Sequence, residues 1–174
     1  FYHPDDEADL KQQQQERLKR LFEACCHSGH ELLLELILPD GCEDRGDDTA
    51  RAMRELYSLG IFPDWWKLPP PPDNAWPLIE AVIDEFDPWC RGIVLLGLNR
   101  PVEELVAGFA RAVGRRHCRG FAIGRSLFVD AARAWLSGAM DDTALQCAVA
   151  DNFSAIVAKW QALHDAGESE EREQ

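Results

Sequence analysis

The sequence lacks any apolar run long enough to span a bilayer, and nothing at its start resembles a signal peptide. It is short of positive charge: 18 Lys and Arg stand against 31 Asp and Glu, a net charge of -13. No basic stripe is available for phosphate backbones, so nucleic acid is excluded as a partner. A small anionic substrate is not excluded, because one well-placed arginine decides that locally. No Gly-x-Gly-x-x-Gly follows any strand pattern, which argues against a dinucleotide fold and against phosphoryl transfer from ATP. None of the six cysteines forms a Cys-x-x-Cys pair. Without a secretion signal they read as reduced thiols of a cytoplasmic protein. Cys25, Cys26, His27 and His30 match no common zinc spacing, and neither a metal nor an organic cofactor is expected.

A length of 174 residues with 46% hydrophobic content suits one globular domain. Phe1-Tyr2-His3-Pro4 begins abruptly and reads as the end of a strand from something longer. Asp5-Asp6-Glu7 opens a helix with Leu10, Leu18, Leu21, Phe22 and Cys25 at helical spacing, closed by Ser28-Gly29. The run 31–38 is nearly all apolar apart from Glu31 and Glu35, and suits a strand buried on both faces. A carboxylate there is paired or functional. Asp48-Thr49 begins a second helix that ends at Gly60.

Phe62-Pro63-Asp64-Trp65-Trp66-Lys67-Leu68-Pro69 is the most informative stretch. It reads as a short strand with a lysine among tryptophans. Burial disfavours a lysine's charged form and frees the amine as a nucleophile, as Schiff-base chemistry requires. The alternative is a lysine whose stem packs on the tryptophans while its amine reaches water. Pro69–Pro72 then form a stiff link to a helix capped by Asp73-Asn74. A third strand over 92–98 ends in Asn99-Arg100, with Pro101 starting the next helix. A fourth strand over 120–124 leads into Gly124-Arg125-Ser126 and a further helix. Asp141-Asp142-Thr143 cap a last long helix, and 168–174 reads as an acidic disordered tail behind a domain of residues 1–167.

Strands alternate with helices about every thirty residues, the repeat of a (β/α)8 barrel. The fold expected is α/β: a parallel sheet forming the C-terminal half of a TIM barrel. Lys67, Glu35, Asn99, Arg100 and Gly124-Arg125-Ser126 then fall at the C-terminal strand ends, where barrel enzymes keep their active sites. A glycine, a helix start and an arginine make a phosphate site, although Arg125 alone would equally suit a surface ion pair.

The blocks Gly29–Glu35, Pro63–Leu68, Val94–Leu98, Gly120–Ser126 and Val149–Asn152 are spread along most of the chain. They resemble the aldolase-type barrel domain, a family of uncharacterised function, found fused behind a ribokinase-like 5-dehydro-2-deoxygluconokinase in bacterial inositol catabolism. More distantly, Phe1–Glu7, Leu34-Glu35, Lys67 and Gly124-Arg125-Ser126 are similar to class I tagatose-bisphosphate aldolases. This resemblance implies that Lys67 forms the Schiff base, Glu35 serves acid/base steps, and Gly124, Arg125 and Ser126 hold a substrate phosphate. His3, Asn99 and Arg100 are further candidate substrate contacts. The implied reaction is retro-aldol cleavage of a phosphorylated keto sugar, with 6-phospho-5-dehydro-2-deoxygluconate the fitting substrate. The alternative is a non-catalytic sugar-phosphate-binding barrel attached to a carbohydrate kinase. Two departures stand out: Leu95-Leu96-Gly97-Leu98 replaces a serine-containing strand, and the family's further lysine lies on a strand before Phe1. Expected partners are an N-terminal half-barrel, a sugar kinase domain and further copies of the chain.

Overall fold

The structure, a computed structural model, describes residues 2–39, 47–97 and 102–172. Strands and helices alternate: α1 Ala8–Ser28, β1 Leu33–Glu35, α2 Asp48–Ser58, β2 Trp65–Leu68, α3 Trp76–Phe86, β3 Gly92–Leu96, α4 Val102–Ala110, β4 Cys118–Ala122, α5 Arg125–Leu136 and α6 Asp142–Arg172. The strands form one four-stranded parallel sheet in the order β1-β2-β3-β4. No described helix is long and apolar enough to cross a membrane. The chain divides into two compact units, Phe1–Val94 with Arg116–Gly120, and Leu95–Arg115 with Phe121–Gln174.

In the first unit α1 and α2 run out at glycines, whereas α3 stops at Asp87. Gly29 and Gly60 take φ of 70° and 72°, which a side chain disfavours, and each directs an amide back to its helix. α2 buries Ala52, Met53, Leu56 and Tyr57 at helical spacing. α3 buries Ile79, Val82 and Ile83. Tyr57 stacks on Phe86 at 5.7 Å, joining the two helices, and meets Trp66 of β2 edge-on at 5.5 Å. The Trp66 indole N–H donates to the Tyr57 hydroxyl at 2.7 Å, so this buried polar pair is satisfied. Burial pushes the Tyr57 phenol far up.

Two expectations are corrected here. Strands β1 and β2 are not buried on both faces. Leu34, Leu36, Trp66 and Leu68 are buried, whereas Leu33, Glu35, Trp65 and Lys67 are half-buried or exposed. The face opposite the helices is open among the described residues, so burial follows the two-residue period of a one-sided sheet. The stripe of α1 is likewise only partly covered: Leu10 and Leu21 are about half exposed, and no α1 residue is buried. Polar bonds fasten this helix instead, Lys19 Nζ to the Gly60 carbonyl at 2.9 Å and Lys11 Nζ to the Pro4 carbonyl at 2.6 Å.

In the second unit an aromatic cluster forms the core. Phe109 of α4 packs on Phe121 at 5.0 Å and on Trp160 of α6 at 5.1 Å. Asp141 accepts from the Ala144 amide at 2.8 Å and caps α6. Asn152 of α6 donates to the Leu127 carbonyl of α5 at 2.8 Å. The helix runs through Arg172, into the acidic stretch expected to be a tail from residue 168. Strand β4 begins two residues earlier than its apolar pattern suggests, because the backbone of His117 accepts from Ile93 at 2.8 Å and draws Cys118 and Arg119 into the sheet.

Candidate active site

β1 and β2 pair in register, with Leu33 opposite Trp65, Leu34 opposite Trp66 and Glu35 opposite Lys67. Ladder bonds fix this alignment: the Trp65 amide donates to Leu32 O at 3.1 Å, and the Leu36 amide to Lys67 O at 3.0 Å. Asp64 adds a side-chain acceptor for the Leu32 amide at 2.8 Å. Since paired residues project from the same face, Glu35 and Lys67 meet at the C-terminal ends of their strands. Lys67 Nζ lies 2.7 Å from Glu35 Oε2.

The expected apolar enclosure of the amine is not what the structure shows. The Lys67 side chain is 23% exposed and that of Glu35 42%, both on the open face. Such a pair can exchange a proton directly and can be reached by a small molecule from that face. A cavity of about 240 Å³ opens beside Glu35, where α1 contributes Gln14, Arg17 and Leu18 and the β1 segment contributes Leu34 and Leu36.

Below the pair on the same face lie Leu33 and Trp65. The Trp65 indole N–H donates to Glu31 Oε2 at 2.9 Å, and Arg91 holds Glu31 Oε1 at 2.7 Å. Sequence reasoning missed this arrangement. Its one signal was the odd-numbered alternation of Glu31, Leu33 and Glu35, visible only once the run is taken as one-sided.

His3 is buried and occupied elsewhere. Its Nδ1 accepts from the Asp5 amide at 3.1 Å, and its Nε2 lies 3.8 Å from Asp48. Asp48 is fully buried and bonded by Arg51 at 2.9 Å, and Arg51 also holds Asp5 at 2.5 Å. The ligand atoms of His3, Asp5 and Asp48 lie within 4.8 Å of one another, close enough for a metal ion. The Arg51 guanidinium already supplies the positive charge there. The network instead pins the segment before α1 to the start of α2. Cys25, Cys26, His27 and His30 do not gather: His27 Nδ1 bonds Glu23 O at 2.7 Å, and His30 Nδ1 bonds Ser28 Oγ at 2.9 Å.

The candidate phosphate residues sit in the second unit, at the junction of β4 and α5. Gly124 precedes the first turn of α5 and Arg125 opens it, exposed and without an ion-pair partner among the described residues. The Ser126 hydroxyl is buried and has no hydrogen-bond partner among the described residues. A methyl group added at Gly97 would lie 3.3 Å from that hydroxyl and 3.2 Å from Ile123, so glycine allows this approach. Asn99 and Arg100 lie outside the described residues.

The fold and site together define a parallel α/β protein with a lysine–carboxylate pair at adjoining strand ends. Residues 1–164 match the family model described as an uncharacterized protein conserved in bacteria (DUF2090), and the chain belongs to that family. No curated protein matches it.

Proposed function

We propose that this chain is the C-terminal half of an aldolase-type (β/α)8 barrel that cleaves a phosphorylated keto sugar through a Schiff base on Lys67. The observation that carries the proposal is the 2.7 Å contact between Lys67 Nζ and Glu35 Oε2 at the C-terminal ends of neighbouring parallel strands. The pairing order β1-β2-β3-β4, each strand beside its successor, supports the barrel reading. So does the Tyr2 amide, which donates to Ile37 O at 3.1 Å on the β1 edge away from β2. An N-terminal half-barrel closing that edge, a sugar kinase domain in the same protein and a homo-oligomeric cytoplasmic enzyme complete the proposal.

Glu35 takes a proton from the Lys67 ammonium, and the free amine adds to the ketone carbon. Protonated Glu35 returns its proton to the leaving hydroxyl, water departs and a protonated imine forms. Glu35, a carboxylate again, then removes the proton of the hydroxyl two carbons away, and its O–H electrons become a carbonyl. The adjacent C–C bond breaks, and its electron pair moves into the imine to give an enamine. Protonation and hydrolysis release the second product and restore the amine. With 6-phospho-5-dehydro-2-deoxygluconate the products are malonate semialdehyde and dihydroxyacetone phosphate. In this proposal Gly124, Arg125 and Ser126 hold the phosphate, through the first amides of α5 and a guanidinium.

A second reading is a sugar-phosphate-binding barrel without catalysis. It is favoured by the ion pair itself, since a lysine engaged by a cross-strand carboxylate also serves as plain sheet pairing. Borohydride reduction in the presence of dihydroxyacetone phosphate separates the two. A mass adduct on the peptide carrying Lys67 is expected. Phosphate-ligand binding without an adduct would favour the non-catalytic barrel.

A further inference from the structure

The open face of β1 and β2 is tiered. At the strand starts Arg91 and Glu31 form an ion pair. Next come Leu33 and Trp65, register partners with no charge. Glu35 and Lys67 stand at the strand ends, roughly 7 Å further along. An uncharged layer therefore lies between two ion pairs. The indole has one polar atom, and Glu31 accepts from it at 2.9 Å. What the ring retains is apolar surface, on the same sheet face as the Lys67 amine. Its neighbour Trp66 is fully buried on the opposite face and supports the core.

We propose that Trp65 contacts the substrate: its indole is the floor of the Lys67–Glu35 site, pinned in place by the Glu31–Arg91 pair. The inference rests on the aldolase proposal and extends it to the residue that receives the carbon skeleton of the ketose. A carbon chain joined to Lys67 needs an apolar support that presents no competing donor, and an aromatic ring receives its C–H groups. A flat floor also keeps water from one side of the imine, which water would otherwise hydrolyse. The support is itself held. Arg91 bonds Glu31 through its side chain, and its amide donates to Asp64 O at 2.9 Å. Asp64 in turn holds the Leu32 amide at 2.8 Å. Ring, acceptor and strand register are thus tied by one set of bonds, as a preorganised site requires. Trp65 is the contacting residue, and Glu31 and Arg91 are positioning residues.

The test uses the full chain and dihydroxyacetone phosphate, with borohydride trapping followed at the Lys67 peptide over a concentration series. Trp65→Gln is expected to raise the half-saturating concentration about tenfold and to change the maximal trapping rate less than about threefold. Trp65→Phe, which keeps an apolar ring, is expected to rise no more than about threefold. Trp89→Phe is the control, because Trp89 is 88% exposed and belongs to no part of the site. A second readout is tryptophan emission on adding the ketose: the change is expected to persist in Trp89→Phe and vanish in Trp65→Phe. A parental half-saturation in Trp65→Gln, or an emission change that survives in Trp65→Phe, overturns the inference while the aldolase proposal stands. Absence of any adduct in the parent protein overturns both.

Discussion

Glu35 and Lys67 are register partners on adjoining parallel strands, and their side chains close to 2.7 Å. One hydrogen-bonded ladder therefore sets the geometry of the candidate chemistry. The pair is too exposed to add much stability; exposed ion pairs contribute roughly 0.2–1 kcal/mol. Lys67→Met is accordingly expected to abolish borohydride trapping while shifting the unfolding midpoint little. Glu35→Gln is expected to slow trapping by about 100-fold, the usual scale of a lost proton-transfer group, and to leave the adduct on Lys67. Peptide mass spectrometry beside urea denaturation reads both.

The opposite face of the same strand carries the stability. Tyr57→Phe leaves the buried Trp66 indole N–H without its acceptor at a core contact of 2.7 Å. The expected loss is about 1–3 kcal/mol, and Trp66→Ala should cost about 3–5 kcal/mol. Chemical denaturation of the two variants checks this order.

Two aspartates in the first unit predict opposite pH effects. Hydrogen bonds from Arg116 and then His117 hold the Asp84 carboxyl below its ordinary value. Its contribution is present above the unfolded value and is lost as pH falls through the folded one. Asp84→Asn should flatten the decline of stability below about pH 4. Burial pushes Asp87 up. Its contribution is fully present below the unfolded value and falls as pH rises through the folded one. Asp87→Asn keeps an acceptor for the Trp89 amide, bonded at 3.1 Å, and should gain stability relative to the parent at neutral pH. Urea midpoints from about pH 3 to 7 would show the two slopes diverging.

Gly97→Ala tests the proposed phosphate role of Gly124, Arg125 and Ser126. The new methyl would press on Ile123 at 3.2 Å and on the Ser126 hydroxyl at 3.3 Å, and displace that hydroxyl by a few tenths of an ångström. The half-saturating concentration of dihydroxyacetone phosphate should rise about tenfold in the trapping assay, with little change in the maximal rate.

Asn152 belongs to one of the blocks that carry the resemblance, and its amide spans α6 to the Leu127 carbonyl at 2.8 Å. Asn152→Ala should cost about 1 kcal/mol of stability and leave trapping at saturating ketose unchanged.

Much of the element pattern was legible because its signals are local. Gly29 and Gly60 mark helix ends by their backbone freedom, and Lys67 and Glu35 stood out as charges inside apolar runs. What was not legible depends on partners far along the chain. Nothing around residue 118 announces a strand start, because the Ile93 amide recruits His117. The one-sided burial of β1 could not be read from a run of leucines, since leucine suits an open face or a covered one. Trp65 read only as one of the tryptophans beside Lys67, and the pinning by Glu31 and Arg91 exists only after three separate segments have come together.

The strand order also bears on how the chain comes into being. Each strand pairs with the strand before it, so synthesis from the N-terminus always presents a completed edge to the next strand. Among the described strands, β2, β3 and β4 each find a neighbour already made, and growth of this part of the sheet can keep pace with the ribosome. Among the four described strands the Glu35–Lys67 ladder is the earliest pairing in chain order, so the two candidate groups come together before β3 and β4 are made.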